Sequence, residues 1–422
     1  MKNPLLLSLA SLESPSSSAS AETVVKVLHP IATAEVLEIW QSAAAEYEKS
    51  HPGVRIQFDY LENEEFKAKL LARLRSNDRP SAFHSWGGGV MLEHIQAGVC
   101  QDITSAIAGD FKDSFYPAGV QTFIFQGKSY GLPDSVGPIV LWYHNNKELC
   151  EKAGVDPNGI KLWQDLLDAI KKYKAAGVTP IAVGGSEKWP LHFYPALLMM
   201  RILGKAGMAS AYKGDNGGFA GPDVVRAWRM YKQFCELDPF QEGFQTAKTS
   251  EAAGLFHDGK AAFHLQPGYW VLTAGRMYSA DKKGLSDAKF GWFFFPEVEG
   301  GKGKDNHIFG SVYGWLVSKD APKETVDFMK LWLGQGIQTK FASAGLSIPM
   351  VKGTVDAIQN PFYKALALEV NRSDWICAAM DQLLGHEMGR VFNDQAAAVA
   401  AGAQSPEQAA QVIENSCSRN RI

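Results

Sequence analysis

The sequence contains no run of eighteen apolar residues, so no segment is predicted to cross a membrane as a helix. It has no basic cluster, and its net charge of −3 argues against a surface for nucleic acid or anionic lipid. Its five cysteines form no C-x-x-C pair, which excludes a zinc ribbon and a thioredoxin-like motif. What remains is an ordinary globular composition, with 46% apolar and 21% charged residues.

Motifs of hydrolases and nucleotide-binding proteins are also absent. His386-Glu387 begins an H-E-x-x-H pattern, but Arg390 occupies the second histidine position, so no metal site is predicted. Gly87-Gly88-Gly89 lacks a following G-K-[ST] and is no P-loop. It either presents free amides to an anion or hydroxyl, or forms a tight turn. No cofactor is predicted, and paired carboxylates for glycoside cleavage stay an open alternative because such pairs meet only in space.

The N-terminus has the order of a secretory signal. Lys2 precedes the short apolar stretch Pro4–Leu12, and a Ser-rich stretch ends in Ala19-Ser20-Ala21. This order of charge, apolar core and small residues predicts a signal peptide over 1–21, with a Ser-rich tail as the alternative. No cysteine near this position is available to carry a lipid, so we expect an exported, soluble, unlipidated protein of the periplasm.

The length of 422 residues exceeds what one small core accommodates, so two domains are expected. The first part of the chain predicts strands and helices in β-α-β-α-β order, at Val24–His29, Ala34–Ser50, Val54–Tyr60, Glu64–Arg75 and Ser81–Trp86. This order indicates parallel strands with helical crossovers. Ligands of such sheets bind beyond the carboxyl ends of the strands, and Trp86 stands at one of these ends.

The segment Glu251–Val271 is the most informative part of the later sequence. Its pattern predicts an amphipathic helix, the short strand Ala261–Leu265, and a turn through Pro267 and Gly268 that presents Tyr269 and Trp270. A large ring at the end of a strand is expected to line a cleft. The chain from about residue 322 is predicted to be mostly helical.

Aromatic rings beside short polar side chains form the candidate binding residues. A pyranose packs its C–H face on an aromatic ring and satisfies its hydroxyl rim with amides, carboxylates and hydroxyls. Four of the eleven tryptophans lie in loops or at element ends and are predicted to contact ligand, namely Trp86, Trp189, Trp270 and Trp375. The candidate loops pair such rings with polar side chains, namely His84 with Trp86, Glu187 and His192 with Trp189, and Gln266 with Tyr269 and Trp270, while Asp134 and Ser135 form a polar pair. Tryptophans within helical periodicity are predicted to belong to the core.

Several segments resemble, in order, those of the extracellular solute-binding proteins (family 1) of ATP-binding-cassette sugar importers, a maltose-binding-protein-like group. The sequence LFHDGKAAFHLQPGYW is similar to the family's F-x-x-G-K-A-A-F/M…W segment. Ala82–Gly89 is similar to the segment that opens its first ligand loop, and Tyr130–Val155 to its YGLP…LYYNKDLFEKAGV segment. Phe293–Gly303 is similar to its FPPVPGGKG turn. The resemblance covers about residues 25–415.

The resemblance implies an α/β, two-lobed periplasmic-binding-protein fold of type II. Each lobe is then a mainly parallel sheet flanked by helices, and three chain crossings join the lobes near Leu132–Gly137, Phe295–Val298 and Val317–Ala321. Lobe 1 would hold 22–133 plus 297–320, and lobe 2 would hold 134–296 plus 321–422. A ligand that contacts both lobes closes the hinge between them.

The resemblance also implies a function and a site. The protein is expected to bind one mono- or oligosaccharide without catalysis, as a monomer, and to deliver it to the membrane permease subunits of the importer. The ligand-binding residues carried over are His84, Trp86, Asp134, Trp189, His192, Trp270 and Ser311, with Tyr269 where a carboxylate or small polar residue is frequent. The alternatives are a non-sugar solute, such as a polyol, glycosylated metabolite or peptide, and a carbohydrate-active enzyme.

Overall fold

The structure, a computed structural model, describes residues 22–144, 147–286, 289–373 and 375–420. The predicted signal peptide over 1–21 lies outside the described residues. No helix in the described ranges has an apolar stretch of the length that a bilayer requires.

Strands and helices alternate along most of the described chain. The strands are β1 Thr23–His29, β2 Val54–Tyr60, β3 Ala82–Ser85, β4 Ile124–Phe125, β5 Lys128–Ser129, β6 Gly131–His144, β7 Thr179–Ile181, β8 Ala261–Pro267, β9 Phe290–Phe293, β10 His307–Val317 and β11 Trp375–Cys377. The helices are α1 Ala34–Ser50, α2 Asn63–Leu74, α3 Gly88–Gln96, α4 Asp110–Asp113, α5 Pro117–Thr122, α6 Lys147–Ala153, α7 Trp163–Ala175, α8 Trp189–Lys213, α9 Pro222–Cys235, α10 Thr249–His257, α11 Gly268–Tyr278, α12 Glu324–Trp332, α13 Gln335–Ser343, α14 Pro361–Arg372, α15 Met380–Leu383, α16 His386–Ala400 and α17 Pro406–Asn420.

The first three strands and their helices confirm the predicted β-α-β-α-β unit. β1 pairs in parallel with β2 on one side and with β3 on the other. Val25 and Val27 of β1 are fully buried and share a core with Trp40 and Tyr47 of α1. Alternate strand residues face the same side of a sheet, so this spacing places one face of β1 in that core. We call the elements that pack around β1–β3 the first lobe.

The central sheet is mixed, whereas a mainly parallel sheet was predicted for each lobe. Its strand order is β2-β1-β3-β10-β6-β8-β7. β10 runs antiparallel to β3 and to β6, and β6 runs antiparallel to β8 and β9. The reason is that β6 leads the chain away from the first lobe and β10 leads it back, so the two strands have opposite directions. We call the elements around β7–β9 the second lobe.

A third extended stretch runs beside β6. The backbone nitrogen of Val136 donates to the carbonyl of Ile348 at 2.9 Å, and that of Met350 donates to the carbonyl of Asp134 at 2.9 Å. Helices α12 and α13, which precede this stretch, pack on α1 of the first lobe. Helix α14, which follows it, shares a hydrophobic core with Trp142 of β6. The three chain crossings therefore lie in β6, in β10 and around residues 347–351.

Two crossings thus differ in position from the sequence-based prediction. Phe295 accepts two hydrogen bonds from the buried guanidinium of Arg201 on α8, at 3.0 and 2.7 Å, so it is still held by the second lobe. Ser318 donates from its backbone to the carbonyl of Ser81 at 2.9 Å, so it is still in the first lobe. Local sequence pattern cannot reveal these contacts, because each joins residues far apart in the chain.

Helices α12 and α13 pack against the first lobe. Phe328, Met329 and Trp332 are fully buried in the same core as Trp40, with the rings of Trp332 and Trp40 5.2 Å apart. The predicted division assigned 321–422 to lobe 2, so these contacts move 321–343 to the first lobe. The remainder of the division stays a prediction.

Candidate ligand-binding site

A cavity of about 640 Å³ lies where the ends of β3 and β8 meet β6 and β10. Residues of both lobes line it, including Trp86 from the first lobe and Trp270 from the second. Three half-buried indole rings, those of Trp86, Trp189 and Trp270, and several charged or amide side chains share its wall. This mixture of apolar faces and a few convergent polar groups is typical of a small-molecule site.

The first-lobe wall is built at the end of β3. The His84 ring lies 4.7 Å from the Trp86 ring, edge to face, and 5.4 Å from the Trp315 ring. Burial lowers the pKa of His84 to about 3, so this imidazole is neutral at pH 7. Trp86 is half-buried on Phe66, and Lys67 Nζ lies 5.7 Å from its centroid. The packing of His84 and Trp86 fixes a flat ring at the cavity edge.

Asp134 enters the cavity from a β-bulge in β6. Tyr313 pairs with Ser135 and Gly314 pairs with Pro133, so Asp134 has no opposite residue on β10. A bulge of this kind redirects the side chain of the extra residue. Its partner strand requires glycine at 314, where a Cβ would lie 2.3 Å from the carbonyl oxygen of Leu132.

The Asp134 carboxylate is poorly solvated. Burial raises its pKa to about 6, although hydrogen bonds from the side chains of Trp315 and Gln338 oppose the rise. The Trp315 indole donates to Asp134 Oδ2 at 3.2 Å. Trp315 also packs on Trp332 in the first-lobe core, with ring centroids 4.4 Å apart. Core packing thus fixes the donor that holds the carboxylate.

The second-lobe wall contains a tryptophan held by a carboxylate. Trp189 begins α8, and its indole donates to Glu187 Oε2 at 3.1 Å. Glu187 also accepts from the Thr249 hydroxyl at 2.6 Å and from the Thr249 backbone nitrogen at 3.2 Å. Thr249 is the first residue of α10, where a carboxylate is favoured by the free amides of the helix start. Glu187 therefore joins two helix starts and orients the Trp189 ring.

Trp270 lies in the first turn of α11, not in a turn before it as predicted. The helix already begins at Gly268, where a Cβ would lie 2.5 Å from Leu366 Cδ2. Glycine at this position lets the Leu366 side chain of α14 approach closely. The half-buried Trp270 ring lies 6.1 Å from His264 and 6.3 Å from Tyr278. The side chain of the neighbouring candidate, Tyr269, lies outside the described part of the structure.

Gln266 supplies polar atoms to the cavity from β8. The residue is fully buried and lines the cavity. Neither its amide nitrogen nor its amide oxygen has a hydrogen-bond partner among the described residues. The side-chain oxygen of Gln382, which also lines the cavity, is in the same state. Buried amides without partners are rare and costly, so these atoms point to a polar guest.

His192 lies behind the cavity wall. It is fully buried, and its Nε2 lies 3.9 Å from Oδ1 of Asp381, which does line the cavity. Burial lowers the pKa of His192, while the Asp381 charge opposes this. The ring packs edge-on against Phe193 and Phe392. His192 is thus placed to support Asp381 and not to line the cavity itself.

The cavity brings together six of the nine predicted residues, namely His84, Trp86, Asp134, Trp189, Trp270 and Ser311. His192 stands behind Asp381, and Trp375 packs edge-on against His307, 5.1 Å away, outside the lining. Gln266 and Glu187, which the sequence paired with Trp270 and Trp189, also line the cavity. Asp381 and Gln382 had no such signal, because they reach the cavity only through the packing of α15.

The glycines that follow Trp86 join the two lobes. A Cβ at Gly88 would lie 2.9 Å from the carbonyl oxygen of Gln382, and one at Gly89 would lie 2.5 Å from the backbone nitrogen of Gly385. Nearby, Glu93 Oε1 accepts from the backbone nitrogen of His386, the first residue of α16, at 2.8 Å. Because α15 and α16 pack on α8 of the second lobe, the glycines serve close packing between α3 and that lobe. In the described chain no cluster of histidine, cysteine and acidic residues has the makeup of a metal site.

Two lobes, three crossings and a cavity at their junction define the class as two-lobed ligand-binding proteins. The family model for bacterial extracellular solute-binding proteins matches residues 33–339. The chain belongs to this family, as its sequence motifs indicated.

Individual relatives agree with this assignment. An uncharacterized extracellular-binding protein of an ABC transporter from Pyrococcus horikoshii is 27% identical over 239 residues, 56% of this chain and 53% of that protein. A probable sugar-binding periplasmic protein from Mesorhizobium japonicum is 34% identical over 288 residues, 66% of this chain and 64% of that protein. The matched region thus spans between half and two thirds of the length of each of these curated relatives.

A solved structure shares the fold over nearly its whole length. The protein, described as a chitin oligosaccharide binding protein, has a TM-score of 0.84 and 22% identity to this chain. The alignment covers 95% of this chain and 99% of that one. The likeness confirms the predicted two-lobed α/β fold.

Proposed function

We propose that this protein is the solute-binding protein of an ATP-binding-cassette importer and that it binds a mono- or oligosaccharide in the cavity between its lobes. The observation that carries the proposal is the pairing of half-buried indole rings with buried polar atoms that lack partners. Trp86, Trp189 and Trp270 supply the rings, and Gln266 supplies an amide with both atoms unpartnered.

A carbohydrate matches this wall in both of its parts. Its C–H face packs on an aromatic ring, and each hydroxyl both donates and accepts hydrogen bonds. The Gln266 amide offers N–H donors and a carbonyl acceptor, and the Asp134 carboxylate offers acceptors only. A purely apolar ligand would leave these buried groups unsatisfied, at a cost of about 1–3 kcal/mol for each.

The relatives favour the same ligand class. The Mesorhizobium japonicum relative is named a probable sugar-binding periplasmic protein, and the structural neighbour is described as binding chitin oligosaccharides. We infer that the mature protein is exported, acts as a monomer, and presents its bound sugar to the permease subunits. The six predicted residues that line the cavity are the proposed ligand set, together with Tyr269, while His192 acts through Asp381 and Trp375 is not included.

Ligand exchange requires the lobes to separate. The close contact of Gly88 and Gly89 with the second lobe, and the hydrogen bond from His386 to Glu93, are formed across the two lobes. A ligand that touches Trp86 and Trp270 together gains full contact only when this interface is closed. Binding and lobe closure are therefore expected to be coupled.

A thermal-shift screen tests the proposal. The purified mature chain is heated with mono- and oligosaccharides, polyols and short peptides, and a ligand selective for the native state raises the melting temperature. A sugar should give the largest rise, and tryptophan fluorescence should change in the same titration. A larger rise with a polyol or peptide would favour the alternative solute. Release of reducing ends from an oligosaccharide would instead identify a carbohydrate-active enzyme.

A further inference from the structure

Three carboxylates of the cavity have no cationic partner among the described residues. Asp134 is held by the Trp315 indole, and Glu187 is held by Trp189 and Thr249. Asp381 Oδ1 lies 3.9 Å from Nε2 of the buried His192, beyond hydrogen-bond distance, and burial lowers the pKa of this histidine. Neutral donors therefore hold Asp134 and Glu187, and none of the three carboxylates forms an ion pair with a lysine or arginine of the described chain.

The lysines of the cavity do not change this balance. The described lining contains five acidic residues and two lysines. Lys67 already forms an ion pair with Glu64 at 2.9 Å, and Lys248 is exposed. The Lys67 charge is shared with Glu64, so the five acidic residues of the described lining remain in excess over its two lysines.

The unpartnered buried groups add further acceptors. The side-chain oxygens of Gln266 and Gln382 are buried at the lining without partners, beside one unpartnered donor, the Gln266 amide nitrogen. Carboxylates and amide oxygens accept hydrogen bonds but do not donate them. A ligand must therefore present mostly hydrogen-bond donors to this part of the cavity wall.

We propose that Asp134, Glu187 and Asp381 make the site selective for uncharged carbohydrates and exclude acidic ones, such as uronates and sugar phosphates. Hydroxyl groups supply the donors that these acceptors require. An anionic group would instead meet acceptors and like charge in a poorly solvated pocket. Like charges brought together in such a pocket lower the binding affinity by about 100-fold or more. The inference rests on the proposed function and specifies its ligand.

The test measures affinity by titration calorimetry for matched ligands at pH 7.5. Glucose, galactose and cellobiose are compared with glucuronate, galacturonate and cellobiouronate. The uronamide of each acid controls for size, because it replaces the carboxylate by a neutral group of nearly the same shape. A neutral sugar should bind at least about 100-fold more tightly than its uronate, and the uronamide should recover most of the loss.

Two variants assign the effect to the carboxylates. Asp134→Asn and Asp381→Asn keep the side-chain shape and remove the charge, and each should lower the ratio of neutral-sugar to uronate affinity by about tenfold or more. Asp215→Asn, at an exposed position outside the cavity lining, should leave the ratio unchanged. The second cavity variant preserves the test should the first fail to fold.

Equal or tighter binding of a uronate than of its neutral sugar would overturn the inference. So would an unchanged affinity ratio in both cavity variants. Absence of binding by every ligand of the set would overturn it as well, whereas the proposed function is decided separately by the broader thermal-shift screen.

Discussion

Replacement of Gln266 by leucine should weaken sugar binding without lowering the stability of the protein. The amide is fully buried at the cavity with neither of its atoms partnered in the described chain. A buried polar group without a partner costs about 1–3 kcal/mol, and leucine has nearly the same volume as glutamine. We therefore expect Gln266→Leu to unfold at the same urea concentration as the parent, or at a higher one.

Ligand binding should respond in the opposite direction. The leucine cannot exchange hydrogen bonds with a sugar hydroxyl, so the bound state loses two contacts that the unliganded state never had. The expected loss is about 1–3 kcal/mol of binding free energy, which is about 5- to 150-fold in affinity. Titration calorimetry with the sugar found by the thermal-shift screen measures this loss.

The chain offers a matched control in Gln241. Its amide is also buried, but it accepts from the backbone nitrogen of Val183 at 2.9 Å and donates to the carbonyl of the same residue at 2.7 Å. Gln241→Leu leaves both backbone groups unpaired, so it should destabilise the protein by about 2–5 kcal/mol. A Gln266→Leu variant that is as unstable as Gln241→Leu, or that binds sugar like the parent, would refute the reasoning.

Other substitutions test other parts of the site. Trp270→Ala should weaken sugar binding by about 1–3 kcal/mol, while Trp375→Phe, outside the cavity lining, should not change the calorimetric affinity. Burial raises the pKa of Asp134 from 3.8 to about 6, so its contribution to stability is present below pH 4 and is lost as pH rises through 6. The stability of the parent relative to Asp134→Asn should therefore fall by about 2 kcal/mol between pH 4 and pH 7 in urea titrations, and a constant difference would contradict this. Gly89→Ala places a Cβ 2.5 Å from a backbone nitrogen of the second lobe and should lower the melting temperature, whereas Gly336→Ala, with open space around it, should not. Equal melting temperatures would show that the lobes do not meet closely at Gly89.

Local pattern was sufficient for most elements of the fold. The alternation in Val24–His29 and the helical spacing in Ala34–Ser50 correspond to β1 and α1 within one residue. In strands and amphipathic helices, the spacing of the apolar residues shows which face is buried, so it can be read from the segment alone. The two-lobed fold followed from the resemblance, since motif order along the chain carries information that periodicity does not.

The crossings were beyond local pattern. β10 is buried along its whole length, and its sequence does not indicate that its first residues pair with β11 and its last with β3. The bulge at Asp134 has the same origin, because it depends on how β6 and β10 align. Pairing register is a property of two segments, so one segment alone does not determine it.

The candidate site was predicted in part for a similar reason. Aromatic residues at element ends, such as Trp86 and Trp189, are visible in sequence as large rings beside turn residues. Asp381 is visible only in the structure, where it faces His192. Trp375 carried the same sequence signal as the other tryptophans, but the pairing of β11 with β10 turns it onto His307.

The most direct test of the central claim is a crystal structure of the protein with the sugar that stabilises it most in the thermal-shift screen. The account predicts one sugar in the cavity, with a ring face on Trp86 or Trp270 and hydroxyl groups bonded to the amide of Gln266 and the carboxylate of Asp134. A sugar bound elsewhere, or bound in this cavity without contact to either tryptophan, would contradict it.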